Sequence, residues 1–159
     1  MSNDGQRCGE PGLYITLTET RNDLERACAA HGWSLVGIPV FEPTPATPAS
    51  DGSEYVIFQP SEVELGETTR QVLAEVTQRE PARVVFDGLS GLRLLAADAL
   101  RYRRQLLAMK AFFEAKGITV LLLDDRTSPV RQLDPESLVG GNIVMERLMP
   151  GYGGARRRI

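Results

Sequence analysis

ARVVFDGLSG, at residues 82–91, is the stretch that decides the fold class of this chain. Its apolar run, VVF at 84–86, ends on the carboxylate of Asp87, and small residues follow. A buried parallel strand delivers an acid in this way to the carboxyl edge of a sheet, where open α/β proteins bind their ligands. In phosphate chemistry such an acid holds a magnesium ion through water. Taken alone, the stretch also suits a strand that simply ends in a turn-forming Asp-Gly pair.

Length and composition indicate that residues 1–159 form one domain with a sizeable core, or a large piece of one. The chain has 42% hydrophobic residues and a net charge of −3, so no basic excess recruits nucleic acid or an anionic membrane. Its apolar runs, such as ITVLLL at 118–123, are too short to span a bilayer, and we expect a cytoplasmic location. Cys8 and Cys28 lack the neighbouring His and Cys residues that a zinc site or a disulfide framework needs.

Strand-like and helix-like patterns alternate along the chain. Runs of aliphatic, β-branched and aromatic residues predict strands at 13–17, 55–58, 118–123 and 142–148, in addition to the strand that ends at Asp87. Amphipathic stripes predict helices at 21–31, 61–79 and 94–116. Strands that alternate with helices build βαβ units, so we predict an α/β fold with a mostly parallel sheet and helices on both faces.

Capping residues and proline-rich stretches mark the boundaries of these elements. Thr20 is predicted to cap the first helix, with an acid three residues later, and Gly32 to end it. The S-x-x-E sequence at 61–64 predicts a capping box at the start of the second helix. Residues 42–53, dense in Pro, Thr, Ala and Ser, predict an exposed loop, with a lid or partner-binding role as the alternative. Residues 128–141 predict a second connecting loop.

Three features of the sequence are open to interpretation. His31 has no partner for catalysis, and we predict a half-buried structural role beside Trp33. The basic side chains of the third helix form either a solvated face or a phosphate or subunit contact; they are Arg101, Arg103, Arg104 and Lys110. The three arginines at 156–158 are either an exposed basic tail or the start of a strand.

Polar side chains follow three of the predicted strands. Thr18 and Glu19 follow the first strand, Asp87 the central one and Asp124 the strand at 118–123. Because the carboxyl ends of parallel strands meet at one edge, we expect Glu19, Asp87 and Asp124 to converge on one ligand. Phosphoryl transfer needs an acid that holds the metal and a group that orients or deprotonates the attacking water. Asp87 suits the first role and Glu19 the second.

The sequence contains no phosphate-binding loop. Neither GxxxxGK[ST] nor GxGxxG occurs, and the glycine clusters at 140–141 and 151–154 lack the lysine and the helix that such a loop requires. A serine-hydrolase elbow does not fit either, because GLSG at 88–91 is one residue short of G-x-S-x-G and has no histidine nearby in sequence. The sequence therefore offers residues for metal binding and for water activation, but no recognisable loop for binding phosphate.

The ordered set of motifs resembles the KaiC-like ATPases, a family with the RecA fold. GEPGLYITLTET at 9–20 is similar to the family's second core strand with its acidic end, and HGW at 31–33 to the close of the next helix. RVVFDGLSGLRLLA at 83–96 resembles the Walker B strand, and LLLDDRT at 121–127 the strand after it. ERLMPGYGGARRRI at 146–159 resembles the stretch that leads into the inter-subunit finger strand. The resemblance implies a RecA-like P-loop NTPase core that uses ATP and Mg²⁺.

Residue by residue, the resemblance implies roles for the strand ends. Asp87 is then the Walker B acid near Mg²⁺, and Ser90 a small polar group at the site. The family's paired glutamates, which activate the hydrolytic water, fall on Thr18 and Glu19. Because a hydroxyl is a poor general base near neutral pH, Thr18 implies slow hydrolysis unless Glu19 reaches the water. Gly91 stands where relatives often carry an acid.

The resemblance also implies an incomplete RecA-like domain. In the family the first strand and the P-loop precede the turn at residues 9–12, and the last strands would follow Arg158. We therefore expect a fragment, a truncated product or a remnant that alone binds and hydrolyses ATP weakly or not at all. The expected partners are nucleotide and either further copies of the chain or intact KaiC-like subunits, in a clock-type or signalling regulator. The alternative is a degenerate RecA-like interaction module without ATP turnover.

Overall fold

The computed structural model describes residues 8–44, 60–96, 98–125, 135–148 and 156–158. The predicted strand at 55–58 lies outside these ranges. So do most of the predicted loop at 42–53 and the first part of the loop at 128–141. The described residues include all of the strand ends that the sequence marks as candidate site positions.

Four parallel strands form the central sheet of the described part of the chain. They are β1 Gly12–Thr16, β2 Val40–Phe41, β3 Arg83–Asp87 and β4 Thr119–Leu123. Their spatial order is β2-β1-β3-β4, and each neighbouring pair is parallel. The predicted α/β class with a mostly parallel sheet is confirmed.

Four α-helices accompany these strands. They are α1 Arg21–Ala30, α2 Pro60–Arg79, α3 Leu89–Leu95 and α4 Ala99–Ala115. The chain moves outward from β1 to β2 through α1, then back past β1 to β3 and on to β4. Right-handed connections therefore place α1 on one face of the sheet and α2, α3 and α4 on the other. No described helix has the length and apolar character that crossing a membrane requires.

The main core lies between the sheet and helices α2, α3 and α4. The sheet residues on this face are fully buried; they are Leu13, Ile15, Val84 and Phe86. The helices contribute Leu65, Val72, Val76, Leu89, Leu92, Tyr102, Leu106, Met109 and Phe113. Because successive strand residues point to opposite faces, Tyr14 and Asp87 lie on the face toward α1.

The boundaries of α1 are as predicted, but the position of His31 is not. The Thr20 hydroxyl accepts the amide of Asp23 at 3.3 Å and donates to its carboxylate at 2.6 Å. Gly32 follows the helix with φ at 70°, a conformation that favours glycine. His31 is exposed and lies against Trp33, with ring centroids 5.4 Å apart. The half-buried role predicted for His31 is therefore wrong.

The predicted helix at 94–116 is in fact two helices. The first, α3, already begins at Leu89. The second begins after Asp98, whose Oδ1 accepts the amides of Leu100 at 2.8 Å and Arg101 at 2.9 Å. An N-cap acid inside an otherwise continuous apolar stripe starts a new helix, which is why the single-helix prediction is wrong.

The capping box predicted at 61–64 is also wrong, because α2 begins one residue earlier at Pro60. Proline suits the first helical position, since its missing N–H would have no partner there. The apolar stripe of α2 is confirmed: Leu65, Thr69, Val72 and Val76 are buried. The helix ends at Arg79, directly before Glu80 and Pro81, because a proline disfavours helical conformation in the residue that precedes it.

A small antiparallel pair lies near the end of the chain. The strand predicted at 142–148 is shorter than expected and comprises β5, Glu146–Leu148. It pairs with β6, Arg156–Arg158, so the three arginines form a strand. A short 3-10 helix, Pro135–Leu138, precedes the pair within the loop predicted at 128–141.

Candidate functional site

The carboxyl ends of three neighbouring strands lie at one edge of the sheet. Thr16 of β1 pairs with Asp87 of β3, and Asp87 pairs with Leu123 of β4. The turn after β1 contains Glu19, and Asp124 directly follows β4. The three acids singled out in the sequence thus follow the ends of adjacent strands, as the alternation of strands and helices predicts.

Asp87 is at the centre of this edge. It is half-buried, and its Oδ2 accepts a hydrogen bond from the Tyr14 hydroxyl at 2.6 Å. Its backbone oxygen accepts the amide of Leu17 at 2.7 Å, which joins β3 to the start of the turn after β1. Gly88 follows through a cis peptide bond, and α3 begins directly after it. Asp87 is therefore anchored through both its backbone and one carboxylate oxygen.

Tyr14 is the site residue that sequence reasoning missed on this face. Burial, the hydrogen bond to Asp87 and the charges of Asp87 and Glu19 together raise the pKa of Tyr14 well above its ordinary value. The phenol is therefore protonated at neutral pH and remains a donor. The contact joins residues 73 positions apart in sequence, so only the strand register could have revealed it.

The turn after β1 holds Thr18 and Glu19 at the edge. Buried Thr16 accepts the amide of Glu19 at 3.0 Å and donates to its carbonyl oxygen at 2.9 Å, which closes the turn. Thr18 and Glu19 are both exposed. The carboxylate of Glu19 is close enough to Tyr14 to act on its pKa.

Thr18, Ser90 and Gly91 lie where α3 passes the turn after β1. A side chain at Gly91 would place its Cβ 3.0 Å from Cβ of Leu17 and 3.4 Å from Cγ2 of Thr18. Ser90 is half-buried in the first turn of α3, with its Oγ against Gly88. Thr18 thus lies just after β1, and Ser90 lies just after β3.

Asp124 has a partner that the sequence did not suggest. Its carboxylate lies 2.7 Å from Nη2 of Arg93 in α3, and the two side chains keep 20% and 31% of their exposure. Partial burial alone would lower the pKa of Arg93, but the hydrogen bond and the charge of Asp124 raise it. Arg93 also lies over the ring of Tyr102, with Cζ 5.4 Å from the centroid. Asp124 is thus paired with an arginine, whereas no described arginine forms an ion pair with Asp87.

The donor set suits a metal ion held through water rather than one bound directly. Among the described residues, no group of three or more His, Cys, Asp or Glu side chains could hold a metal ion. Mg²⁺ commonly keeps most of its waters and takes one or two carboxylates together with phosphate oxygens. Asp87 fits that pattern, because its carboxylate is half-buried and only one of its oxygens accepts a hydrogen bond from the described part of the chain.

Sequence comparisons agree on one family. The family model described as "ATPase: KaiC" matches residues 2–158. The circadian clock oscillator protein KaiC of Thermostichus vulcanus is 23% identical over 155 residues, which are 94% of this chain and 29% of that protein. The protein of the same name from Prochlorococcus marinus is 23% identical over 145 residues, which are 87% of this chain and 28% of that protein. The chain thus spans less than a third of the length of these relatives.

A solved structure shows the same fold. The crystal structure of a KaiC-like protein from Pyrococcus horikoshii matches with a TM-score of 0.70 and 23% identity, over 98% of this chain and 67% of that one. This likeness confirms the RecA-like fold, and the family model covers nearly the whole sequence. The chain therefore belongs to the KaiC ATPase family.

Proposed function

We propose that this chain provides the metal- and water-binding side of an ATP site in a KaiC-like ATPase. The observation that carries the proposal is the placement of Asp87 on a central parallel strand, at the edge where Glu19 and Asp124 follow the neighbouring strands. Ligands of open α/β sheets bind at such an edge. Family membership supports ATP and Mg²⁺ as the ligands.

The described residues divide the chemistry between them. Asp87 would accept hydrogen bonds from waters bound to Mg²⁺, which in turn neutralises phosphate charge when bound. Exposed Glu19 would orient the attacking water and take its proton, with Thr18 holding that water through its hydroxyl. Ser90 and Asp124 are proposed as further nucleotide contacts, Asp124 while still bound to Arg93.

The phosphates need a cradle that the sequence of this chain does not contain. We propose that the chain works in the cytoplasm as a homo-oligomer or together with intact KaiC-like subunits, as part of a clock-type or signalling regulator. The phosphate-binding loop of another segment or subunit then completes the site. Without that loop the chain binds nucleotide weakly, because most of the affinity for phosphate comes from backbone N–H groups and a lysine.

Mn²⁺-ATP tests this proposal, because Mn²⁺ accepts the same oxygen ligands as Mg²⁺ and broadens nearby NMR signals even when binding is weak. We expect selective broadening of the backbone amides at 17–19 and 88–91 in the wild-type chain. Asp87→Ala should abolish it, and Asp98→Ala, a carboxylate deletion away from the edge, should leave it unchanged. Uniform broadening, or broadening centred on another surface, would contradict the proposed site.

A second function is an interaction module of RecA-like fold that turns over no ATP. The observation that favours it is Thr18 in place of the first glutamate of the expected pair, since a hydroxyl is a poor base. In that case the purified chain should associate with intact KaiC-like subunits in the absence of nucleotide, and Asp87→Ala should not weaken the association. A complex that forms only with Mg-ATP and is lost in Asp87→Ala supports the ATP site instead.

A further inference from the structure

Tyr14 is the described side chain that fixes the carboxylate of Asp87. Its hydroxyl donates to Oδ2 at 2.6 Å, a short bond typical of an O–H group bonded to a charged acceptor. The other oxygen, Oδ1, receives no hydrogen bond from the described residues. One oxygen of the acid is therefore committed to the protein, and the other is available to the edge of the sheet.

The strand register explains why Tyr14 and not a closer residue makes this bond. The residue of β1 that pairs directly with Asp87 of β3 is Thr16. Tyr14 lies two residues before Thr16 in β1 and pairs with Val85. The Thr16 hydroxyl already donates and accepts within the turn that ends at Glu19. A side chain two residues back on the same face can reach diagonally only if it is long, and a tyrosine is long enough.

Tyr14 holds Asp87 without adding a charge to the proposed site. Its hydroxyl donates one hydrogen bond to Oδ2 of Asp87 as a neutral group. A neutral donor fixes the carboxylate without placing there a cation that would compete with the metal ion. Arginine or lysine in the same place would pair with Asp87 and neutralise it, as Arg93 does with Asp124.

We propose that Tyr14 is a positioning residue for the metal-bound nucleotide: its hydroxyl holds Oδ2 of Asp87 so that Oδ1 faces the metal-bound water. This inference rests on the function proposed above. Groups that orient a metal-binding acid from behind typically change metal affinity by about tenfold or more when removed. Tyr14 should therefore affect binding of metal-nucleotide and leave binding of metal-free nucleotide unchanged.

The test compares Tyr14→Phe with Tyr102→Phe in the full chain. Both remove one phenolic oxygen from a tyrosine, but the buried Tyr102 hydroxyl has no hydrogen-bond partner of acceptable geometry among the described residues. In an NMR titration with Mn²⁺-ATP we expect Tyr14→Phe to raise the concentration for half-maximal broadening at 88–91 by about tenfold. We expect Tyr102→Phe to match the wild type. With metal-free ATP, shift changes in all three proteins should have the same midpoint.

Two further measurements separate the possible failures. Circular dichroism of both variants checks that they fold. The Asp87→Asn background removes the charged acceptor, so Tyr14→Phe should have no additional effect on Mn²⁺-ATP binding in that background.

The outcomes distinguish the role of Tyr14 from the proposed site. Selective broadening in the wild type with an unchanged midpoint in Tyr14→Phe overturns the role of Tyr14 and leaves the proposed site standing. An equal loss of metal-free ATP binding also overturns it, because it shows a structural effect. Absence of broadening at 88–91 in the wild type overturns the proposed function, and this role with it.

Discussion

Gly91 marks the closest approach between α3 and the turn after β1. An added Cβ would lie 3.0 Å from Cβ of Leu17, which is closer than almost any real contact between such atoms. The resemblance to relatives showed Gly91 only as a missing acid. The structure supplies a steric reason for its small size, because the side chains of Leu17 and Thr18 lie directly against it.

Replacement of Gly91 by alanine should destabilise the chain by about 1–3 kcal/mol, because Leu17 must move to admit the methyl group. Gly66, inside α2, provides the matched control, since an added Cβ there meets nothing within 4 Å. Gly66→Ala should stabilise the chain by about 0.5–1 kcal/mol through helix propensity. Urea unfolding followed by circular dichroism measures both changes. Equal effects of the same sign at the two positions would contradict the steric account.

Helix α4 depends on one side chain for its start. Asp98 accepts two backbone amides in the first turn, and this break divides α3 from α4 immediately after the candidate site. Ser90 and Arg93 belong to α3, which ends before this cap. The cap therefore fixes where α4 begins, and its two hydrogen bonds go to backbone amides rather than to the side chains of the site.

Asp98→Ala should lower the free energy of unfolding by about 1 kcal/mol, because two amides lose their acceptor. Asp98→Ser, which keeps a capping oxygen, should recover most of the loss. Thermal unfolding of the three proteins measures the difference. If serine were no better than alanine, the ion pair between Asp98 and Arg101, rather than the cap, would carry the contribution.

Three of the four strands of the central sheet, with their polar ends, could be predicted from the sequence because the signal is local, whereas β2, with only two residues, was missed. An apolar run that ends on Asp87 or Asp124 needs no knowledge of the rest of the fold. The partners of those acids are not local: Tyr14 is 73 residues from Asp87, and Arg93 is 31 residues from Asp124. Both contacts follow from register and helix direction, which periodicity alone does not give. The prediction of a single helix at 94–116 was wrong although the relevant signal is local. The capping acid that starts a new helix outweighs the apolar stripe that suggests a continuous one.

The stability of the whole molecule rests on the face of the sheet covered by α2, α3 and α4. Phe86 is fully buried there, whereas Leu94 is 86% exposed. Phe86→Ala should cost about 3–5 kcal/mol, because it removes a large buried side chain and leaves a cavity. Leu94→Ala should change stability by less than about 0.5 kcal/mol. Urea unfolding measures both values, and a large loss at Leu94 would indicate that its surface is covered in solution.

Acid should weaken the molecule through partly exposed carboxylates that accept hydrogen bonds. Bonds from Arg70, and then from Gln71, lower the pKa of Glu67 to about 2 from an ordinary value of 4.5. A lowered pKa in the folded state means that the contribution is complete above 4.5 and is lost as the pH falls toward about 2. Hydrogen bonding by Thr20 and Arg26 lowers the pKa of Asp23 in the same direction.

NMR titration of the side-chain carboxyl should place the Glu67 midpoint near 2. Glu67→Gln should flatten the stability curve between pH 4.5 and about 2, and added salt should reduce the difference from the wild type, because the carboxylate is partly exposed and Arg70 is exposed. Glu114, which pairs more loosely with Lys110 at 3.6 Å, is the control, and its replacement by glutamine should change the curve less. A Glu67 midpoint near 4.5 would contradict the pairing with Arg70.

The exposed ring of Trp33 has a consequence for following this molecule by fluorescence. It is the one tryptophan of the chain, it is 64% exposed, and it lies beyond the end of α1 against His31. Its indole is therefore largely hydrated before unfolding begins, so loss of the core should shift its emission little. Its fluorescence reports instead on what happens at the end of α1, such as the docking of another molecule there. A binding event at that end can thus be observed by emission, independently of the folding of the sheet.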